Sequence, residues 1–288
     1  MPELPETETI ARALDARVRG TTITAAIVAR ADILREATAP AFTAQVTGAR
    51  IDRCWRRAKC VVLDLSSGDR IVVTPRFTGG LFVDARPQRA AGEGARTAIT
   101  GEDPTADYTA LTLMLDDGRP LRYRDVRRLG TVALMDPDRF AAWDARIGPE
   151  PLDADLTAHA FSVSIRASRR AIKTVLMDQR VVAGVGNIYA NEALWAARVA
   201  PSRAGARVTY AEGAAILGEL RRLLTASIAA GGTTFRDYRD PAGNRGSFAG
   251  QLQVYGRAEA PCLRCGTPIA THHRLERRAT FWCRECQR

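Results

Sequence analysis

Apolar residues recur along the chain with two different periods. Near the start, Ile10, Leu14 and Val18 are four residues apart, and this spacing predicts a helix over 5–19. From about 22 to 135, short β-branched stretches alternate with Gly, Pro and Asp, which is typical of a β-sandwich or barrel. The predicted strands are TTITAAIVA, RIVVTP, GGLFVDA, ALTLMLDDG, PLRYRD and GTVALMD.

The pattern becomes helical in the second half of the chain. Three stretches combine good helix formers with apolar residues at helical spacing. They lie at 156–179, 188–199 and 210–232. A glycine-rich turn, RVVAGVGN, separates the first two, and QLQVYGR at 251–257 is predicted as a strand.

These patterns predict an α+β chain of several domains. A β-sandwich with flanking helices occupies 1–135, and the segment 136–152 holds a short helix and a proline-containing linker. A helical domain at 153–249 and a cysteine-rich finger at 250–288 follow. Residues 86–107 are predicted as a long loop inside the sandwich.

Charge is distributed unevenly between the two halves of the chain. Residues 1–152 hold 22 basic and 21 acidic side chains, whereas residues 153–288 hold 20 and 11. A basic half beside a neutral half indicates a polyanionic partner such as nucleic acid, although a solvated basic surface gives the same count. No apolar run is long enough to span a membrane, and the acidic start is unlike a secretory signal.

Arginine supplies nearly all the positive charge. Of the 42 basic residues only Lys59 and Lys173 are lysines. The bias itself is typical of codon usage, but Arg and Lys are not interchangeable in amine chemistry. The two lysines are therefore candidates for functional residues.

Four of the six cysteines form two CxxC pairs near the C-terminus, Cys262 with Cys265 and Cys283 with Cys286. Two such pairs supply the four thiolates that a structural zinc ion prefers, with no open ligand position. We therefore predict one structural Zn²⁺, with the neighbouring His272 and His273 as loop residues. Disulfides are the alternative for these cysteines, but they are typical of oxidising compartments.

The N-terminal sequence carries a second candidate for chemistry. If Met1 is removed, Pro2 presents a secondary amine beside the carboxylates of Glu3 and Glu6. An α-amino group has a pKa of about 8, so more of it is neutral and nucleophilic at pH 7 than a lysine. The alternative is structural, because Pro and Glu also suit the first turn of a helix.

Motifs along the whole chain resemble one enzyme family in the same order. They are PELPE at 2–6, RRAK at 56–59, YRDVRRLG at 123–130, IGPEPL at 147–152, the stretch 172–194, GGTTF at 231–235, VYGR at 254–257 and the two CxxC pairs. Together they resemble the formamidopyrimidine-DNA glycosylase family, and PELPE is closer to it than to the endonuclease VIII branch. The resemblance implies a β-sandwich, a helix–two-turn–helix module and a zinc ribbon with four cysteine ligands. It also implies a bifunctional DNA glycosylase and abasic-site lyase that excises oxidised purines.

The resemblance assigns catalytic roles to residues of the first half. Pro2 matches the nucleophile that forms a Schiff base, Glu3 the proton-transferring acid/base, and Glu6 a supporting carboxylate. Lys59 matches a lysine that contacts phosphate. Lys173, in the second half, matches a lysine that lines the site, where it is expected to contact the DNA. The alternative for either lysine is an ordinary surface charge.

Further residues match the family's DNA contacts. The resemblance implies that Asn187 and Arg278 bind phosphates, and it places Arg245 in a loop that covers the extruded base. Three residues match those that fill the space the base leaves, namely Phe77, Arg127 and Leu129. Packing within strands is the alternative for Phe77 and Leu129.

Two departures keep other functions open. Thr74 and the stretch TADYTAL at 105–111 replace positions where the family has histidines that contact phosphate. One alternative is a glycosylase of the same family with a preference for oxidised pyrimidines, and another is a catalytically impaired protein that binds damaged DNA. We expect a monomer acting on damaged duplex DNA in the bacterial cytoplasm at the nucleoid, without an organic cofactor.

Overall fold

The fold was analysed in a computed structural model, which describes residues 2–83, 108–233, 246–273, 275 and 277–288. The helices are α1 (Leu4–Val18), α2 (Ala39–Val46), α3 (Pro137–Asp144), α4 (Ala158–Arg166), α5 (Ile172–Met177), α6 (Asn187–Ala196) and α7 (Tyr210–Ala229). The strands of the first half are β1 (Ile23–Val28), β2 (Leu34–Arg35), β3 (Ile51–Arg57), β4 (Cys60–Leu65), β5 (Arg70–Thr74), β6 (Gly79–Val83), β7 (Thr109–Leu115), β8 (Pro120–Asp125) and β9 (Thr131–Met135). Two short strands near the C-terminus are β10 (Ala270–His272) and β11 (Thr280–Trp282).

Two sheets form the predicted sandwich. One has the strand order β2-β9-β5-β4-β3 and the other β1-β7-β8-β6, and every pair is antiparallel except β2 with β9. Alternate side chains of both sheets, such as Val61, Leu63, Leu113 and Leu121, are buried in one shared apolar cluster. This burial is the expected result of period-two patterning in strands.

Helix α1 contributes to two apolar cores. Its predicted stripe of Ile10, Leu14 and Val18 is buried in the sandwich core, whereas Leu4 is buried among the side chains of the helical half. The first turn begins with Pro5 at a position that needs no backbone donor, and the Glu6 carboxylate accepts the Glu3 N–H at 2.8 Å. The chain therefore begins at the junction of the two halves.

The predicted strand pattern omits three strands, β2, β3 and β4, and one helix, α2. Strand β3 reads IDRCWRR. Its buried residues Ile51 and Cys54 lie three positions apart, so it lacks the period-two alternation that predicts a strand. Strand β4 follows directly after the tight turn at Ala58, so the two strands form one hairpin. Helix α2 is short and has Thr38 as its N-cap, which accepts the Ala41 N–H.

The helix predicted over 156–179 is two helices. Helix α4 ends at Arg166 and α5 begins at Ile172. Between them the backbone pairs with the segment at 203–206, through Gly205 N–H to Arg170 O (2.9 Å) and Ile172 N–H to Arg203 O (2.7 Å). These tertiary hydrogen bonds replace the helical ones, so the prediction of one continuous helix was wrong.

The strand predicted over 251–257 is also wrong. Residues 248–251 form a 3₁₀ turn. The backbone N–H groups of residues 253–255 then donate to a single carboxylate on α6. Glu192 Oε2 accepts from Gln253 at 2.9 Å, and Oε1 accepts from Val254 at 2.9 Å and Tyr255 at 2.8 Å. The donors that a strand would use are therefore satisfied by Glu192.

A third cluster lies under the C-terminal finger. Trp195 and Val254 pack there with Ile269 and the cysteines 262 and 283, beside the two-stranded ribbon of β10 and β11. In the described part of the chain no helix has the length and apolar character needed to cross a membrane.

Replacing Glu192 tests the buried carboxylate. Glu192 is only 1% exposed, so Glu192→Ala leaves three buried N–H groups without an acceptor, and we expect a loss of about 2–4 kcal/mol in the free energy of unfolding. Urea unfolding followed by circular dichroism measures the loss. The exposed pair of Glu219 with Arg222 on α7 provides the control, because Glu219→Ala is expected to change stability by less than about 1 kcal/mol. Equal losses in the two variants would contradict this assignment.

Candidate active site

A cleft of about 670 Å³ lies where the start of α1, the β3–β4 turn, the start of α6 and the C-terminal finger meet. Pro2, Glu3, Lys59, Asn187 and Arg278 all line it. These predicted site residues come from almost the whole length of the chain, from residue 2 to residue 278. The fold therefore brings the predicted nucleophile, its carboxylate and three predicted phosphate-binding residues to one place.

The Glu3 carboxylate is held by the N-terminus of α6. Its side chain is 3% exposed, and Oε1 accepts the Ile188 N–H at 2.9 Å. Within the residues that the structure describes, Oε2 is buried without a hydrogen-bond partner. A buried polar atom without a partner is costly in a folded protein and is often functional. One oxygen is thus fixed while the other remains available for proton transfer in the cleft.

The glycines of the GVGN turn give Glu3 and Leu4 their space. A Cβ on Gly186 would lie 2.3 Å from Glu3 Cδ, and a Cβ on Gly184 would lie 2.7 Å from Leu4 Cβ. Gly184 also has φ +76°, a backbone region that favours glycine. The Leu4 N–H donates to Gly184 O at 3.0 Å. The glycine-rich turn is therefore shaped to the first residues of α1.

Glu6 lies behind the cleft and connects three elements. Its Oε2 accepts the Glu3 N–H at 2.8 Å, and its Oε1 accepts the Thr233 N–H at 2.7 Å and the Tyr189 hydroxyl at 3.1 Å. Burial, and next the nearby Glu3 carboxylate, raise the pKa of Glu6 above its usual range. Glu6 acts in this structure as a buried support for the backbone that carries Glu3.

Lys59 is half-buried on the opposite wall of the cleft. Burial lowers the pKa of Lys59, the Glu3 carboxylate opposes that shift, and the Arg278 guanidinium adds to it. Lys59, Glu3 and Arg278 line the same cleft, so they can act together on one ligand. Lys59 and Arg278 together make this side of the cleft positive.

The predicted role of Lys173 as a DNA contact needs correction. Its side chain is 1% exposed, and Nζ donates to Ala279 O and to Thr280 Oγ1, both at 2.8 Å. Asn187 Nδ2 donates to the same Ala279 carbonyl at 3.0 Å. Because the ammonium is enclosed between α5 and the finger, Lys173 holds the finger in place instead of meeting a ligand at the surface. A compact ammonium suits that space better than a guanidinium.

Of the three predicted space-filling residues, Phe77 lines the cleft, and Arg127 and Leu129 lie in the loop between β8 and β9. Phe77 is partly buried with φ +43°, and the Arg127 guanidinium lies 5.5 Å from the centre of its ring. Leu129 is 46% exposed and belongs to no strand, so packing within a strand does not explain it. The buried Asp125 carboxylate organises this loop by accepting the Gly130 N–H at 2.8 Å and the Arg127 N–H at 3.2 Å.

Several predicted features fall elsewhere or were missed. Arg245, the 86–107 loop and the start of the 105–111 stretch lie outside the described residues. Thr74, which replaces a family histidine, lines the cleft beside Cys60, with 3.2 Å between Oγ1 and Sγ. Tyr255 also lines the cleft and packs edge-on against Phe281 at 5.1 Å. The VYGR motif marked the position of Tyr255, but the mistaken strand prediction gave its side chain no role.

The four finger cysteines converge on one point. Their sulfur atoms all lie within 4.8 Å of one another. A tetrahedral site with sulfur ligands at about 2.3 Å needs sulfur separations of about 3.8 Å, and the pairs Cys265–Cys283 and Cys262–Cys286 lie at 3.4 and 4.0 Å. The four thiols therefore fit one metal ion with no further ligand.

Comparison with known proteins agrees with this arrangement. Residues 1–132 match the family model described as the formamidopyrimidine-DNA glycosylase N-terminal domain, and residues 147–239 match that of the formamidopyrimidine-DNA glycosylase H2TH domain. The formamidopyrimidine-DNA glycosylases of Thermomicrobium roseum and Chloroflexus aggregans are 40% and 39% identical to this chain, covering all of it and 99% and 98% of their own lengths.

Solved structures show the same similarity in three dimensions. The MutM (Fpg) protein of Thermus thermophilus has a TM-score of 0.83 and 33% identity, covering 99% of this chain and 98% of its own. A Lactococcus lactis Fpg variant, solved with DNA containing Fapy-dG, has a TM-score of 0.85 and 28% identity over the full length of both chains. The fold and the cleft are thus those of a DNA glycosylase with an H2TH module. The chain belongs to the formamidopyrimidine-DNA glycosylase family.

Replacing Gly186 tests whether the turn positions Glu3. Gly186→Ala places a methyl group against the Glu3 carboxylate, so Glu3 must move, and displacements of about 1 Å at a reacting group lower rates by about 10²-fold. We expect a loss of glycosylase activity of about that size, measured by single-turnover cleavage. Gly218→Ala is the matched control, because a Cβ there meets nothing within 4 Å. Full activity of Gly186→Ala would show that Glu3 needs no such space.

Proposed function

We propose that this protein excises oxidised purines, such as 8-oxoguanine and formamidopyrimidines, and then nicks the abasic strand through a Schiff base on Pro2. Family membership makes it a DNA glycosylase of base excision repair. The proposal adds the lesion class, the nucleophile and the lyase step. The observation that carries it is the convergence of Pro2 and Glu3 in one cleft with Lys59, Asn187 and Arg278.

Pro2 and Glu3 supply the covalent chemistry. After removal of Met1, the Pro2 nitrogen attacks C1′ of the damaged nucleotide while the bond from C1′ to the base breaks and the base leaves with a proton. The proton of the Pro2 nitrogen is then transferred to the ring oxygen O4′, and the bond between O4′ and C1′ breaks, which leaves an iminium ion. The iminium ion withdraws electrons from the sugar, so loss of a C2′ proton expels the 3′ phosphate, and loss of a C4′ proton in a second elimination expels the 5′ phosphate. Glu3 is suited to move these protons, because its Oε2 is not engaged by another described group.

The remaining cleft residues hold the DNA. Lys59, Asn187 and Arg278 are placed to bind the phosphates on either side of the damaged nucleotide, and such contacts supply much of the affinity of DNA-binding proteins. Phe77, Arg127 and Leu129 are proposed to fill the space that the extruded base leaves in the duplex. Arg245 is proposed to contribute to the loop that covers this base.

Zinc is the proposed ion of the finger. Four thiolates and a closed tetrahedral set are typical of structural zinc, so the ion would stabilise the fold and take no part in the reaction. The related proteins are bacterial, which supports action in the cytoplasm, and the proposed substrate is damaged duplex DNA. A monomer is sufficient, because one chain supplies the residues that line the cleft.

Borohydride trapping tests the proposed nucleophile. Duplex DNA with one 8-oxoguanine opposite C is incubated with the protein and borohydride, and we expect a covalent complex attached to Pro2. Pro2→Gly should abolish it, whereas Pro40→Gly, at the exposed start of α2, should not. Mass spectrometry of the intact protein checks that Met1 is absent.

The same substrates distinguish the alternatives. Binding without trapping or nicking would show a catalytically impaired DNA-binding protein and contradict the proposal. Trapping on oxidised pyrimidines in preference to 8-oxoguanine and formamidopyrimidines would keep the nucleophile and overturn the lesion class.

Metal removal tests the finger. We expect one zinc ion per chain by plasma emission spectrometry, and we expect a strong chelator or Cys265→Ser to lower DNA affinity at least tenfold as Arg278 loses its support. Cys54→Ala, at a buried cysteine far from the finger in sequence, should leave the metal content unchanged. Undiminished DNA binding by the metal-free protein would contradict a structural role.

A further inference from the structure

The turn that carries Lys59 has an unfavourable backbone conformation. Ala58 has φ +52°, in the left-handed region that residues with a Cβ rarely adopt. It joins β3 to β4, where Arg57 pairs with Cys60, so the turn leaves little freedom to Lys59. Glycine or asparagine, the residues usually found in this conformation, is absent, so surrounding contacts have to stabilise it. One lies within the hairpin, where Arg56 Nη1 donates to Ala58 O at 3.1 Å.

Glu150 of the linker contacts this turn from a position 92 residues further along the chain. Its Oε1 accepts the Ala58 N–H at 2.8 Å and Arg57 Nη1 at 3.0 Å, and its Oε2 accepts Arg56 Nη1 at 2.6 Å. The Glu150 side chain is 11% exposed. One carboxylate therefore binds the backbone of the strained residue and both of the preceding side chains.

The neighbouring groups strengthen this contact. Arg57 also donates to the carbonyl oxygens of Ile147 at 3.2 Å and Gly148 at 3.0 Å, and Arg56 pairs with Glu8 of α1 at 2.8 Å. Loss of Glu150 would leave the Ala58 N–H without its acceptor, while Arg56 and Arg57 would keep only their pairs with Glu8 and Asp144 among these carboxylates. The turn would then be free to relax, and Lys59 would move with it.

We propose that Glu150 is a positioning residue that holds the Ala58 turn so that the Lys59 ammonium faces Glu3 and Arg278 across the cleft. Glu150 itself does not line the cleft, so it acts through Lys59 and not on the DNA. The inference rests on the proposed function, in which Lys59 binds a phosphate beside the damaged nucleotide. It makes the linker part of the active site's support.

A double-mutant cycle tests this coupling. Single-turnover nicking of 8-oxoguanine DNA is measured for Glu150→Ala, Lys59→Ala and the double variant. We expect Glu150→Ala to slow nicking about tenfold in the parent protein and less than about twofold when Lys59 is already absent, because coupled residues do not act additively. Asp138→Ala, at an exposed carboxylate on α3, is the control and should leave the rate unchanged.

Two further measurements separate positioning from loss of folding. Loss of one phosphate contact lowers the salt-dependence slope of DNA binding by about 0.9, so Glu150→Ala and Lys59→Ala should lower it by the same amount. Glu150→Gln keeps an oxygen for the Ala58 N–H and should recover part of the rate at a thermal stability close to that of the parent.

The outcomes are decisive for this inference alone. Multiplicative losses in the cycle, an unchanged salt slope in Glu150→Ala, or an unchanged nicking rate would overturn it while borohydride trapping on Pro2 remained intact. Absence of trapping in the parent protein would instead contradict the proposed function.

Discussion

The position of the first residues of α1 is the constraint on which the rest of the site depends. Leu4 is buried in the core of the helical half, while Ile10 and Leu14 of the same helix are buried in the sandwich. The Leu4 N–H binds Gly184 O, and the Glu3 carboxylate binds the Ile188 N–H. The first turn of α1 is thereby fixed between two cores, which gives Glu3 and Leu4 defined positions.

Around this fixed start the cleft is assembled from separate supports. Glu6 holds the backbone of Glu3 and reaches Tyr189 and Thr233, which links the catalytic end of α1 to α6 and to the end of α7. Lys173 and Asn187 hold the carbonyl next to Arg278. Glu6 and Lys173 are buried, whereas Asn187 also lines the cleft beside Glu3, Lys59 and Arg278. Asn187 therefore belongs both to the cleft and to the contacts that support it.

The sequence predicted the elements whose pattern is local and failed where tertiary contacts decide. The stripe of α1, the alternation of β7 and β8 and the spacing of the four cysteines all depend on neighbours in sequence, and the structure confirms them. The break after Arg166 and the turn at 253–255 depend on partners from 203–206 and on Glu192, which no window of sequence contains.

The site shows the same division. Motif resemblance placed Glu3, Lys59, Asn187 and Arg278 in one site, and the structure brings them into one cleft. The motif resemblance could not show that Lys173 is enclosed, because the burial of Lys173 depends on the finger that covers it. The resemblance also did not show that Tyr255 lines the cleft, because the orientation of Tyr255 depends on its contacts with Glu192 and Phe281.

Lys173 and Asn187 both donate to the carbonyl of Ala279, which belongs to the finger. The completion of the cleft therefore depends on the order in which the chain is synthesised. A ribosome makes residues 2–6 before the finger, at a rate of about 5–20 residues per second. The start of α1 therefore exists for many seconds before Arg278 and the carbonyl beside it have been made. A nascent chain has Glu3 but lacks the finger residue that lines the cleft, so the cleft is complete only after the finger has been synthesised.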